Sequence, residues 1–158
     1  MSAKVTVRWA LLAIVFISLG IHTWKKSADQ EAGAAIDAPT PGIEAAAVVV
    51  TYFTTDVRCD SCRTIEALSR RCVEEEFPDQ LASGEVVFRV VNTDRDEHEH
   101  FVEHYDLTNK TVIVSSQVEG KESSWTDRQD VWLLLDEPDA FIAYVREPVQ
   151  QYLANGDA

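Results

Sequence analysis

Cys59 and Cys62, in the stretch Val57-Arg58-Cys59-Asp60-Ser61-Cys62-Arg63, stand two residues apart just after the most strand-like run in the chain. Two thiols at that spacing can close on each other as a disulfide or open to grip a soft metal, and either is chemistry rather than packing. Cys72, the third and last cysteine, shares an apolar stripe with Ile65 and Leu68 and reads as a buried core thiol. Such a set is not a disulfide-stapled scaffold, which spreads more cysteines along the chain. A zinc site would need two further ligands, and no second C-x-x-C supplies them. His100-Phe101-Val102-Glu103-His104 matches the H-x-x-E-H pattern of inverted zinc proteases. A protease would also need a third ligand on another long helix and a substrate cleft, for which the chain has no room. The pair of histidines therefore reads as a charged helix surface, and no metal ligands are assigned.

The chain has 158 residues, 46% hydrophobic and 26% charged, enough for one globular domain with a core but not for two. Its charge is uneven. Residues 1–28 hold Lys4, Arg8, Lys25 and Lys26 and no acid, while the other 130 residues carry all 27 acids against 10 bases, a net charge of −17. So acidic a domain is repelled by nucleic-acid phosphates, because binding them needs Lys and Arg to displace counterions; nucleic acid is excluded as a partner.

Residues 1–26 read as an N-terminal membrane anchor or signal. The apolar run within Val5–Trp24 has basic flanks and interfacial tryptophans at Trp9 and Trp24, and its length is at the lower edge of what spans a bilayer. No small-x-small cleavage site directly follows it, which favours an uncleaved anchor. The domain is expected on the outer, periplasmic side of the membrane, because such a segment acts as an export signal. Residues 27–44, rich in Ala, Gly, Pro and acid, read as a flexible linker of about 20 to 25 Å root-mean-square length.

The globular domain is expected over residues 45–155. Residues 45–54 form a continuous apolar and β-branched run, the pattern of a strand buried on both faces. Ser61 to Phe77 reads as a helix, ended by Pro78 and the Ser83-Gly84 turn. Residues 85–92 form a second strand, after which Asn92 or Thr93 is placed to cap a helix reaching Asp106. Residues 111–115 form a third strand, and Glu119-Gly120-Lys121 turns the chain into a fourth through Trp125. Thr126 or Asp127 is expected to cap a last helical region holding Val131, Trp132, Leu134 and Leu135. Pro138 restarts it, Pro148 kinks it and Asn155-Gly156 ends it. Trp125, Trp132 and Tyr144 read as core or rim packing. The fold class is therefore α/β, a βαβαββα sheet with helices on both faces and the first two crossovers right-handed.

In that order the cysteines fall at the carboxyl end of the first strand and the amino end of the first helix, where α/β sheets place reactive groups. The helix terminus favours a thiolate at Cys59, and Arg58 and Arg63 push the same way. Asp60 and Asp56 oppose them, so a moderate depression of the Cys59 pKa is expected. Cys59 is the candidate attacking thiol, and Cys62, one turn inside the helix, the resolving one.

With its C-x-x-C after the first strand and this element order, the chain resembles the thioredoxin superfamily. More closely it resembles the membrane-anchored, thioredoxin-like nitrophenyl compound nitroreductase subunit ArsF family. The residues carrying that likeness are Val57-Arg58-Cys59 with Cys62-Arg63 and Ile65-Glu66-Ala67, then Val87 with Phe88-Arg89-Val90-Val91-Asn92, His100-Phe101-Val102 with Tyr105 and Leu107, and Phe141-Ile142 with Tyr144-Val145. The resemblance implies a thioredoxin-like fold and a dithiol that passes electrons to a membrane-associated reductase of aromatic nitro groups, nitro-substituted phenylarsonates included. It implies a partner reductase subunit and an arsenical efflux permease as well. No cofactor beyond the redox disulfide Cys59–Cys62 is expected. Two departures stand out: Arg58 replaces the tryptophan that usually precedes the first cysteine, and Thr111 stands where the superfamily has a cis-proline in its substrate loop. The second departure leaves open another reading, a non-enzymatic Cu(I), zinc or cluster binder using the same C-x-x-C.

Overall fold

A computed structural model describes residues 47–156; the anchor and linker expected over residues 1–44 lie outside the described residues. Among those described, no helix is long and apolar enough to cross a membrane.

Four strands form one mixed sheet: β1 (Val48–Thr54), β2 (Val86–Asn92), β3 (Thr111–Val118) and β4 (Lys121–Asp127), in the order β2-β1-β3-β4. β1 runs parallel to β2 and antiparallel to β3, which is antiparallel to β4. The helices are α1 (Asp60–Glu76), α2 (Pro78–Ser83), α3 (His100–His104) and α4 (Pro138–Gly156), with 3-10 turns at Asp96–His98 and Gln129–Leu133. This is the expected βαβαββα order of an α/β fold.

Alternation along the strands divides the core. Val48, Val50 and Tyr52 of β1 face one side with Val86, Val90, Val112 and Val114, and are covered by Ile65, Leu68 and Val73 of α1 and Phe141, Val145 and Val149 of α4. Phe53, Val91 and Ile113 face the other side under Phe101, Tyr105 and Leu107. Every residue of β1 is buried, as its continuous apolar run requires of a central strand.

Three expectations are corrected and one is extended. The connection from β2 leads to a strand antiparallel to its neighbour, so the right-handed rule for parallel crossovers applies to the first connection and not to the second. Pro78 follows the end of α1 as expected, but it also opens a further helix, the six-residue α2, which Gly84 closes at φ 80°, a conformation costly to any residue with a Cβ. The helix expected from Asn92 to Asp106 is reduced to a 3-10 turn and the short α3. Its would-be caps are engaged elsewhere: Asn92 accepts from Asp94 N and donates to Asp56, and the Thr93 hydroxyl donates to Thr54 O. Likewise Thr126 and Asp127 belong to β4 rather than capping a helix, with Thr126 bonded to the Tyr152 hydroxyl at 2.7 Å and Asp127 accepting from Thr111 at 2.6 Å. The last α-helix accordingly begins at Pro138, after a 3-10 turn that holds Val131 and Trp132.

Cys72 lies in the core between α1 and α4, fully buried, with its thiol directed at Ile142 O at 3.5 Å. Burial, reinforced by Glu76, pushes its pKa up to about 12. A thiol that ionises more easily unfolded than folded favours the fold below its ordinary pKa of 9.0, and this contribution is lost as pH rises through about 12. Native Cys72 should therefore resist alkylation at neutral pH, and Cys72→Ala should flatten the decline of unfolding free energy between about pH 9 and 12. Ready alkylation of the native chain, or an unchanged pH slope in the variant, would refute this account.

Candidate active site

The chain leaves β1 at Thr54 and enters α1 within six residues, which brings the cysteines to the carboxyl edge of the sheet. Cys59 is the N-cap of α1, with an extended backbone (φ −87°, ψ 169°), and its Sγ accepts the Cys62 N–H at 3.1 Å. A sulfur here takes the place of the Ser, Thr or Asp oxygen that usually satisfies a free N–H in a first turn. Cys59 and Cys62 are joined as a disulfide, Cys59 exposed and Cys62 fully buried. An incoming sulfur nucleophile can therefore reach Cys59 and not Cys62.

The charged residues expected around the pair are placed as follows. Arg58 is directed away into an ion pair with Glu66, both about one-fifth exposed. Arg63 pairs with Asp60 at 2.9 Å across the first turn of α1, in full contact with solvent, where such a pair contributes little. Asp56 accepts from Asn92 at 2.7 Å and lies 3.4 Å from Arg95. Each of the four thus has an opposite charge or a donor of its own. Thr111 is buried, pairs with Phe53 in the sheet register and donates its hydroxyl to Asp127. It is the residue before it that enters the site: Lys110 Nζ lies 3.3 Å from Cys62 Sγ and also donates to Val57 O.

A cavity of about 410 Å³ opens beside the disulfide. Phe53, Val102, Leu107 and Trp132 supply apolar walls, and Thr54, Thr93 and Lys110 supply polar groups at its edge. The Trp132 indole N–H donates to Lys110 O at 2.7 Å, tying the loop before β3 to the turn after β4. The volume suits a side chain or small aromatic group, and the lining has the mixture typical of a ligand pocket. Nothing local in the sequence marks Lys110, Leu107 or Trp132 as neighbours of Cys62. They meet because β3 runs antiparallel to β1, so that β3 begins where β1 ends.

The two histidines of the H-x-x-E-H stretch lie on α3, where His104 Nε2 is 2.7 Å from Glu122, whose other carboxylate oxygen accepts from the Tyr105 hydroxyl at 2.5 Å. Among the described residues no group of three or more His, Cys, Asp or Glu is arranged to hold a metal ion. Trp125 is two-fifths exposed and meets Tyr105 edge-on, in keeping with rim packing.

Comparison with known protein families and with curated proteins finds no match. Among solved structures the chain is similar to human ERp44 in a zinc-bound form, at 20% identity and a TM-score of 0.46, covering 66% of this chain and 27% of that one. It is similar to a mutant thioredoxin from Halobacterium salinarum at 15% identity and a TM-score of 0.45, covering 71% and 86%. Thioredoxin from Trypanosoma brucei brucei is 23% identical with a TM-score of 0.40, covering 65% and 75%.

Proposed function

We propose that this chain is a thiol/disulfide electron carrier, held to a membrane by its N-terminal segment with the domain on the periplasmic side. The observation that carries the reading is the Cys59–Cys62 disulfide itself, one sulfur exposed at a helix N-terminus and the other buried, beside an apolar cavity open to a partner. A static structural disulfide has no use for that asymmetry, whereas an exchange reaction requires one accessible sulfur and one protected leaving sulfur. The membrane tether is supported by the apolar run of residues 5–24 and its basic flanks. The resemblance on residues 57–67, 87–92 and 141–145 supports the finer role, a subunit passing electrons to a reductase of aromatic nitro groups that works alongside an efflux permease.

Thiol counting tests the carrier reading against metal binding. The full chain purified without reductant should show one free thiol after denaturation, Cys72, and three after treatment with dithiothreitol. It should also shuttle electrons repeatedly between dithiothreitol and a disulfide acceptor. Stoichiometric bound zinc or copper with two protected thiols, and no exchange, would overturn the carrier reading in favour of a metal binder.

A further inference from the structure

Reducing a disulfide generates charge at a definite atom. When a partner thiolate attacks exposed Cys59, a bond forms between the two sulfurs and the Cys59–Cys62 bond breaks. The electron pair then resides on Cys62 Sγ. That atom belongs to a residue with no exposed surface, so water cannot solvate the new charge, and an unpaired buried thiolate is costly. The charged groups around it are few: Asp60 and Arg63 neutralise each other on α1, and Arg58 is committed to Glu66. The Cys62 N–H points to Cys59. Lys110, reaching across from the loop before β3, alone places an ammonium against Cys62 Sγ among the described residues, at 3.3 Å. Its aim is set by the Val57 carbonyl, to which Nζ also donates, and by Trp132, which holds the Lys110 backbone.

We propose that Lys110 is a catalytic residue of the exchange reaction, the ammonium that receives the thiolate leaving at Cys62. The inference rests on the carrier reading given above. In the reducing direction the Cys62 thiolate is held as an ion pair with Lys110. The partner's second thiolate then attacks its own sulfur in the mixed disulfide, closing a partner disulfide and releasing Cys59 as a thiolate onto the Cys62 N–H. The partner loses two electrons and the Cys59–Cys62 pair gains them. In the oxidising direction the ion pair keeps Cys62 ionised, ready to resolve the mixed disulfide. Lys110 thereby makes the buried sulfur a better leaving group than burial alone would allow.

The test uses the full chain with Lys110→Met, Lys110→Gln and Lys110→Arg. One readout is the rate of disulfide reduction by dithiothreitol. The other is the thiolate absorbance of Cys62 titrated in a Cys59→Ala background, where Cys72 ionises too high to interfere. An opposing charge this close shifts a pKa by about 1 to 3 units. Both neutral variants should therefore raise the Cys62 titration by about one unit or more. Reduction should slow by about threefold per unit, the sensitivity expected of a thiol exchange. Lys110→Arg should restore most of both. Neutral variants that titrate and react like the parent would overturn the role of Lys110 while leaving the carrier reading intact. Slowed reduction without a shifted Cys62 titration would assign Lys110 to loop positioning only, and would overturn it too. A parent chain whose disulfide dithiothreitol does not open would overturn the carrier reading and this inference together.

Discussion

Cys59→Ser reduces exchange with a disulfide-bonded partner to the uncatalysed background, whereas the Cys59 thiolate of Cys62→Ser attacks the partner disulfide once, expels one partner thiolate and stops with the partner covalently attached. The two sulfurs are equivalent in a drawn formula and unlike in the fold. Cys59 is exposed, sits at the positive end of a 17-residue helix and receives the Cys62 N–H at 3.1 Å, so its thiolate is both stabilised and reachable. Cys62 is fully buried behind it. Without Cys62 the mixed disulfide on Cys59 has no internal nucleophile to open it, and intact-mass measurement should find one partner adduct per chain, released by dithiothreitol. Without Cys59 no sulfur faces the partner at all. Catalytic turnover by the Cys62→Ser chain, or adduct formation on the Cys59→Ser chain at the parent rate, would show that the assignment of the two roles is wrong.

Phe141→Ala lowers the unfolding free energy by about 3 to 5 kcal/mol, the cost of deleting a fully buried aromatic side chain and leaving a cavity. Phe141 has no exposed surface and joins the cluster in which α4 meets Ile65, Leu68 and Cys72 of α1 over the central strands. Against a total stability of about 5 to 15 kcal/mol, that loss removes a large part of what holds the domain together. Urea denaturation should show an earlier midpoint with an unchanged slope, because the amount of surface exposed on unfolding is nearly the same. A loss below about 1 kcal/mol would mean that α4 is not an integral wall of the core. Phe141 lies away from the cavity at the disulfide, so the folded variant should keep its exchange rate.

How far the sequence carried the reading depended on whether a signal was local. The buried run 48–54, the amphipathic stripe of α1 and the apolar run of β2 are properties of short windows, and each appears within a few residues of its expected place. Helix caps failed as signals in two places for one reason. A side chain such as Asn92 or Asp127 can cap a helix or bond to a segment distant in sequence with the same atoms, and the choice is made by whatever lies nearby in the folded state. The direction of β3 was likewise beyond local reading, because a strand pairs equally well by sequence in either sense.

The sequence by itself determined the reactive pair and which of the two sulfurs would be exposed, since a C-x-x-C at a strand-to-helix junction puts its first cysteine at the cap and its second one turn within. It determined equally that Cys72 would be a core thiol, from its place on the stripe with Ile65 and Leu68. Only the tertiary structure decided what the sulfurs face. The antiparallel entry of β3 beside the end of β1 brings Lys110, 48 residues from Cys62 along the chain, to within 3.3 Å of its sulfur and sets Trp132 and Leu107 around the cavity. Arg58, next to Cys59 in sequence, is drawn into an ion pair with Glu66. Adjacency along the chain constrains the backbone, but a charged side chain settles on the partner that three-dimensional packing puts within its reach.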